Sequence, residues 1–404
     1  MTTLCIIPFE GGGTNEQTTS GTASYTATAI HGDYAGLVNP ATTSTGYFTG
    51  DFAFGATTTW LAASSTGWNT ATTYLSFYLT INTLPSSSQE KILRFMTYTG
   101  GANKGYLWLT SGGDLILEDN ASHTSTASGA VSAGNTYRID VKVPTSSSTT
   151  AYELRVNGST VVDGPTVGAW NWNTTNGCLV RFGKYINTNG QGLSITFDSI
   201  VAADSAYIAD GYDYSVLAMR PDSVGSTSQF NSSGGGGAVY TDVTTLPWGT
   251  STYSISTTPG DIQLYGFEST STAGISGTIH SVGYHAIMTP DAGTSICKGK
   301  LLSGATASDG SAASFSASGS RFHHIWDTDP NTASAWTTTA LDSIEAGVEE
   351  DSGSSNRVRI AGLYLSVVFT AAGGSPDVEV ALDASATTAT GSAGTASPGI
   401  TIEL

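Results

Sequence analysis

Residues 169–177 (AWNWNTTNG) place Trp170 and Trp172 two positions apart, with Asn171, Asn173 and Asn176 around them. An indole face stacks on a sugar ring and an amide reaches its hydroxyls, so Trp170, Trp172 and Asn173 form a candidate glycan-binding platform. The competing reading is that both indoles plug the end of a hydrophobic core, a common place for large aromatic side chains. Trp60, Trp68, Trp108 and Trp248 read as core or edge fillers.

Asp327, Asp329 and Asn331 have the D-x-D-x-N spacing that opens a calcium loop, which makes them a calcium candidate. Such a loop needs Gly at its sixth position and Glu at its twelfth, where this chain has Thr332 and Thr338. A turn capped by Asx side chains accounts for the same residues. His323 and His324 are adjacent, and adjacent strand residues point to opposite faces, so no zinc site and no cofactor are expected. Glycan hydrolysis by retention needs two carboxyls about 5 Å apart. The dense acidic run, Glu349-Glu350-Asp351, is expected in a solvated loop, so no catalytic residue is assigned and the chain is not expected to be an enzyme. No nucleotide-binding glycine motif opens a helix, and no GxSxG elbow occurs. Cys5, Cys178 and Cys297 lie far apart and form no CxxC pair, which supports neither a zinc knuckle nor a disulfide framework.

The elements that must carry these residues read as strands. At 73–81 (TYLSFYLTI), Leu75, Phe77, Leu79 and Ile81 share one face. At 136–143 (TYRIDVKV), Tyr137, Ile139, Val141 and Val143 face inward, and Arg138, Asp140 and Lys142 are expected to face water. Residues 151–157 (AYELRVN) repeat the alternation, and Asn157-Gly158 supplies the positive-φ pair of a two-residue hairpin. Further strands are expected at 47–54, 91–98, 106–109, 115–118, 178–183 and 193–201. A second block follows at 262–268, 278–288, 295–302, 311–316, 321–326 and 357–370, with a helical turn at 338–346 and Gly347 following as its stop. Residues 219–237 read as a loop or linker around the glycine run 234–237.

Composition agrees with this. The chain has 404 residues, of which only 11% are charged, 10% are aromatic and 49 are Gly. That is too aromatic for a disordered chain and too poor in charge for a coiled coil. No run of apolar residues is long enough for a membrane-spanning helix, so membrane insertion is not expected. With 32 acidic residues against 14 basic ones, a phosphate-tracking groove and a nucleic-acid partner are not expected either. The start of the sequence lacks the basic flank of a signal peptide, and none is expected.

Two resemblances follow from these strings. NTYRIDVKV and AYELRVNGSTVVDG, then LVRFGKY and ITFDSIVAAD, resemble concanavalin A-like jelly rolls of the laminin-G type over about 200 residues. Residues 329–348 (DPNTASAWTTTALDSIEAGV), followed by RIAGLYLSVVF and preceded by TIHSVGYHAIM, resemble a module of tailed-bacteriophage virion proteins. Ala333 stands where that module usually has Gly. The expected fold is therefore all-β, two antiparallel β-sandwich domains at 1–208 (jelly roll) and 209–370, with an extended tail at 371–404. The resemblance implies a non-enzymatic virion structural protein, a head decoration, head fibre or tail fibre assembled in the host cytoplasm. Its expected partners are copies of itself, other virion proteins and host-surface polysaccharide. A cellular surface lectin or appendage subunit is the alternative, and a glycan-degrading enzyme the third.

Overall fold

The computed structural model describes residues 1–9, 18–21, 23–39, 46–54, 72–97, 102–144, 151–164, 170, 178–185, 192–210, 212–233, 239–244, 252–256, 258–310, 312–315, 320–351 and 356–372. Its regular structure is almost entirely antiparallel strand, 60% of the residues, in four sheets that pair into two sandwiches. The first sandwich has an eight-stranded sheet in the order Ser159–Asp163, Glu153–Val156, Thr136–Pro144, Thr72–Thr83, Ser194–Ala203, Ala35–Val38 and Ala23–Thr26. Thr3–Ile7 adds to Ser194–Ala203. Its seven-stranded partner runs Thr124–Ala127, Leu115–Asp119, Asn103–Thr110, Gln89–Thr97, Cys178–Tyr185, Gly46–Phe54 and Thr18–Gly21.

Alternation builds the core between these sheets. Leu75, Phe77, Leu79 and Ile81 meet Ile139, Val141 and Val143 from one sheet and Leu93, Phe95, Leu107, Leu109, Leu115 and Leu117 from the other. The Asn157-Gly158 turn joins Glu153–Val156 to Ser159–Asp163 with φ of 49° and 75°, the left-handed pair expected of a two-residue hairpin.

In the second sandwich one sheet runs Asn231–Ser232, Ser254–Ile255, Val358–Thr370, Thr278–Pro290 and Ser320–Trp326, with Ser215–Met219 paired to Val358–Thr370. The other runs Pro221–Ser228, Ile262–Phe267, Glu345–Glu350, Ser295–Ser303 and Thr306–Asp309, with Ala313–Phe315 on Ser295–Ser303. Tyr265, Tyr284, Leu301, Val348, Leu365 and Val367 are among its fully buried residues.

Three expectations need correction. Residues 219–233 are not a loop: Pro221–Ser228 is an edge strand on Ile262–Phe267, and Asn231–Ser232 pairs with Ser254–Ile255. The glycine run 234–237 and the tail from residue 373 lie outside the described residues. The helical turn is a single one, Thr338–Leu341, capped by the Thr337 hydroxyl, which accepts from the Ala340 N–H at 3.1 Å. Gly347, read as its stop, sits inside a strand, where a Cβ would lie 1.8 Å from the Gln263 carbonyl oxygen. The acidic run is no solvated loop either. Glu349 and Glu350 belong to Glu345–Glu350, Glu350 is fully buried, and Glu349 pairs with Lys298 and Lys300 at 2.9 and 2.5 Å.

Candidate functional site

The structure assigns Trp170 to the core. Its indole is wholly buried, edge-on to Phe95 and Tyr152 with ring centroids 5.2 and 6.0 Å away. It fills the space left by Gly105, where a Cβ would come within 2.2 Å of the ring. No face of this indole is left for a sugar, so Trp170 is a core plug and not a platform. Trp172 and Asn173 lie outside the described residues.

The calcium candidates are dispersed by their own hydrogen bonds. Asp327 accepts from the Thr3 backbone N–H at 3.0 and 3.2 Å, pinning the N-terminal strand to the second sandwich. Asp329 accepts from the Ser303 hydroxyl, the Asn331 N–H and the Thr332 hydroxyl at 2.5, 3.0 and 2.9 Å. Asn331 Oδ1 accepts from the Thr306 hydroxyl at 2.9 Å. This is the capped turn that the same residues also suggested, with the Asp327, Asp329 and Asn331 oxygens accepting hydrogen bonds from the fold. Ala333, at φ 52°, occupies the left-handed position for which the resembling module uses Gly.

The histidines divide as strand parity requires. His323 lies against His285 at 4.7 Å, while His324 packs on Trp326 at 4.4 Å. His285 and His280 bond Ser366 and Thr370, each at 2.7 Å.

The two outer faces of the first sandwich have different fates. On the eight-stranded sheet, Arg138 and Asp140 do not face water as the alternation suggested; both are buried. Arg138 donates to the Ile208, Ala209 and Tyr212 carbonyls and to Asp140, across the join to the second sandwich. Tyr78 donates to Asp213 at 3.0 Å, and Tyr214 to the Ser199 carbonyl at 2.6 Å. Ile6, Tyr78, Val201, Ile208, Tyr214, Val216 and Val368 close the apolar part of this junction. A period-two pattern marks which residues share a face, but not whether water or another domain covers it.

The outer face of the seven-stranded sheet has another character. Register places Glu118, Tyr106, Arg94 and Arg181 side by side on four neighbouring strands, a row about 15 Å long at the usual strand spacing. A second row sets Ile116, Trp108 and Lys91 beside it. Tyr106, Trp108, Lys91, Glu118 and Arg181 are each half-buried. Lys91 Nζ stands 3.6 Å from the Tyr106 ring centroid and 4.6 Å from that of Trp108, within cation–π range. The Trp108 N–H donates to Glu118 Oε2 at 2.6 Å, which fixes the tilt of the indole. Arg94 lies deepest and donates to Asn103 Oδ1. Burial pulls the Lys91 ammonium below its usual range; Glu118 pulls it back up and Arg94 pushes it further down.

Two aromatic rings held rigidly on a sheet, with amide, carboxylate and cationic groups at their edges, can stack on and hydrogen-bond a polyhydroxylated ring. Trp108, expected as a core or edge filler, lies half-buried on the outer face. The signal was present in 103–110 (NKGYLWLT), where Gly105, Leu107 and Leu109 share the buried face and leave Tyr106 and Trp108 together on the other.

No protein-family model matches the chain, and no curated protein matches its sequence. Among solved structures, a cellulose-induced protein aligns over 51% of this chain and 100% of its own length, at 18% identity and TM-score 0.37. An alginate lyase from Pseudomonas aeruginosa aligns over 45% of this chain and 86% of its own, at 15% identity and TM-score 0.32. The fourth domain of an extracellular arabinanase from Geobacillus stearothermophilus, solved with arabinotriose, aligns over 51% and 94%, at 12% identity and TM-score 0.34. At these scores the likenesses carry no argument about ligand or activity.

Proposed function

We propose that this chain is a non-enzymatic surface protein of a bacteriophage particle whose N-terminal sandwich contacts host-surface glycan through the outer face of its seven-stranded sheet. The observation that carries the glycan reading is the paired ring platform of Tyr106 and Trp108, half-exposed, cation-flanked and locked by Glu118. The particle reading is supported by the string from Asp329 to Val348, which here forms a capped turn, one helical turn and a strand. The same reading has copies of the chain assembling with one another and with other virion proteins. Support comes from the edge strand Pro221–Ser228, which carries a single charged residue, Asp222, and an exposed Val224. Edges that stay monomeric are usually better guarded by charge.

Adhesion of the full chain to host cells tests the glycan contact. Trp108→Ala should lower adhesion about tenfold, the stacking contribution of one ring at about 1–1.5 kcal/mol, and glycosidase treatment of the cells should do the same. Unchanged adhesion in both arms would refute the contact.

A further inference from the structure

We propose that the two rings of this face have different tasks: a sugar stacks on Trp108, while Tyr106 is a positioning residue that seats the Lys91 ammonium as a hydrogen-bond donor to an oxygen of that sugar. The inference rests on the glycan reading above and divides its labour. Shape decides first. The ring planes of Tyr106 and Trp108 are tilted by 57° with centroids 5.9 Å apart, so one face of a sugar ring cannot lie on both. Occupancy decides next. Lys91 Nζ stands 3.6 Å from the Tyr106 centroid, within ordinary van der Waals contact of the ring. A stacked sugar carbon would need that same place. Over Trp108 the ammonium is farther off, at 4.6 Å, and the fused indole offers more face than one cation covers.

Register explains the seat. Lys91 is directly opposite Trp108 in the pairing of Gln89–Thr97 with Asn103–Thr110, and Arg94 is opposite Tyr106. Lys91 therefore reaches Tyr106 on the diagonal, a span open to long side chains. Glu118, opposite Tyr106 on the other flank, turns Oε2 to the Trp108 N–H at 2.6 Å and holds the indole in its tilt. Its charge draws Lys91 from a distance. Among the described residues Lys91 closes no salt bridge, and the two ring faces set the place of its ammonium. An ammonium carries three N–H donors, and attraction to a ring face does not saturate them as oxygen acceptors do.

Preorganisation is what Tyr106 adds. A lysine stem rotates about several bonds, and fixing it on binding lowers affinity. The Tyr106 face restricts the stem before a ligand arrives, beside the indole on which the sugar rests. A hydroxyl or ring oxygen at the edge of Trp108 then meets a donor already in place. Arg94 does not take this part, because it lies deepest and donates to Asn103.

The test uses the full chain, its adhesion to host cells and a double-mutant cycle. Tyr106→Leu and Lys91→Met alter half-buried residues of the outer face, and melting temperatures check that both fold. Each should lower adhesion by a factor of about two to five, the size of a cation–π contact at a part-exposed site. The double variant should lose no more than either alone, and Tyr106→Phe, which keeps the ring face, should adhere as wild type does. Isotope-labelled methyl groups placed on the lysines by reductive methylation give a readout without ligand. The Lys91 methyls should resonate upfield in wild type and return to the ordinary position in Tyr106→Leu. Lys104, two positions from Tyr106 on the same strand face, should resonate at the ordinary position in both. A Tyr106→Leu loss as large in the Lys91→Met background as in wild type would make Tyr106 a stacking ring and overturn the division. Unshifted Lys91 methyls, or full adhesion of Lys91→Met, overturn it as well. Adhesion that survives both Trp108→Ala and glycosidase treatment refutes the glycan reading itself, and this inference with it.

Discussion

Trp170 commits its entire indole to the interior, edge-on to Phe95 and Tyr152 and over the bare Cα of Gly105. Truncating it leaves a cavity that the two sheets cannot close, at a cost of about 3–5 kcal/mol. Trp108 rests on the outer face, so removing it empties no core site. Denaturant unfolding of Trp170→Ala and Trp108→Ala should therefore show a large loss for the first and less than about 1.5 kcal/mol for the second. Equal losses would place both rings in the core. The residue types needed for a sugar platform were legible in the sequence, but the pair proposed to form it was not. Proximity in sequence pointed to Trp170 and Trp172, whereas register across strands brings Tyr106, Trp108 and Lys91 together. Lys91 is 15 residues from Tyr106, and only the pairing of Gln89–Thr97 with Asn103–Thr110 makes them neighbours.

Strands were the most legible elements because burial of one face imposes a period of two, and the expected strand positions match the sheets closely. Alternation is silent about what lies over the polar face. In Thr136–Pro144 that face meets the junction, where buried Arg138 satisfies three backbone carbonyls. His31 sits in the same junction, edge-on to Tyr78 at 4.6 Å and bonded to the Ser199 hydroxyl at 2.9 Å. Burial holds its imidazole down to about 4, with Asp213 pulling the other way. The unfolded chain takes up this proton first as pH falls, so stability is full above about 6.5 and is lost on the way to 4. Nearby Asp198 is pushed up to about 7 by burial, and its contribution runs in the opposite sense, lost as pH rises through that value. It is present in both proteins when wild type is compared with His31→Asn. The stability of His31→Asn relative to wild type should therefore rise as pH falls from 6.5 to 4, by on the order of 3 kcal/mol. A pH-independent difference would mean that His31 titrates normally. Gly347 shows a different limit of sequence reading: a glycine that ends a helix and one that admits a neighbouring strand look alike until the partner strand is placed.

At the scale of the whole molecule, the two sandwiches use their surfaces unequally. One face of the first is given to the junction, closed by Arg138, Tyr78 and Tyr214 and by the N-terminal strand that Asp327 holds. The opposite face stays half-exposed and carries the Tyr106 and Trp108 rings with Lys91 against them. The central claim is that glycan sits on that face, and lysine acylation read by mass spectrometry locates it directly. Labelling of the full chain with and without saturating host-surface polysaccharide compares Lys91 and Lys104 with Lys142 on the opposite sheet and with Lys298 and Lys300 in the second sandwich. The account predicts that bound polysaccharide lowers acylation of Lys91 and Lys104 several-fold and leaves Lys142, Lys298 and Lys300 unchanged. Full labelling of Lys91 in the bound protein, or protection confined to Lys298 and Lys300, would contradict it.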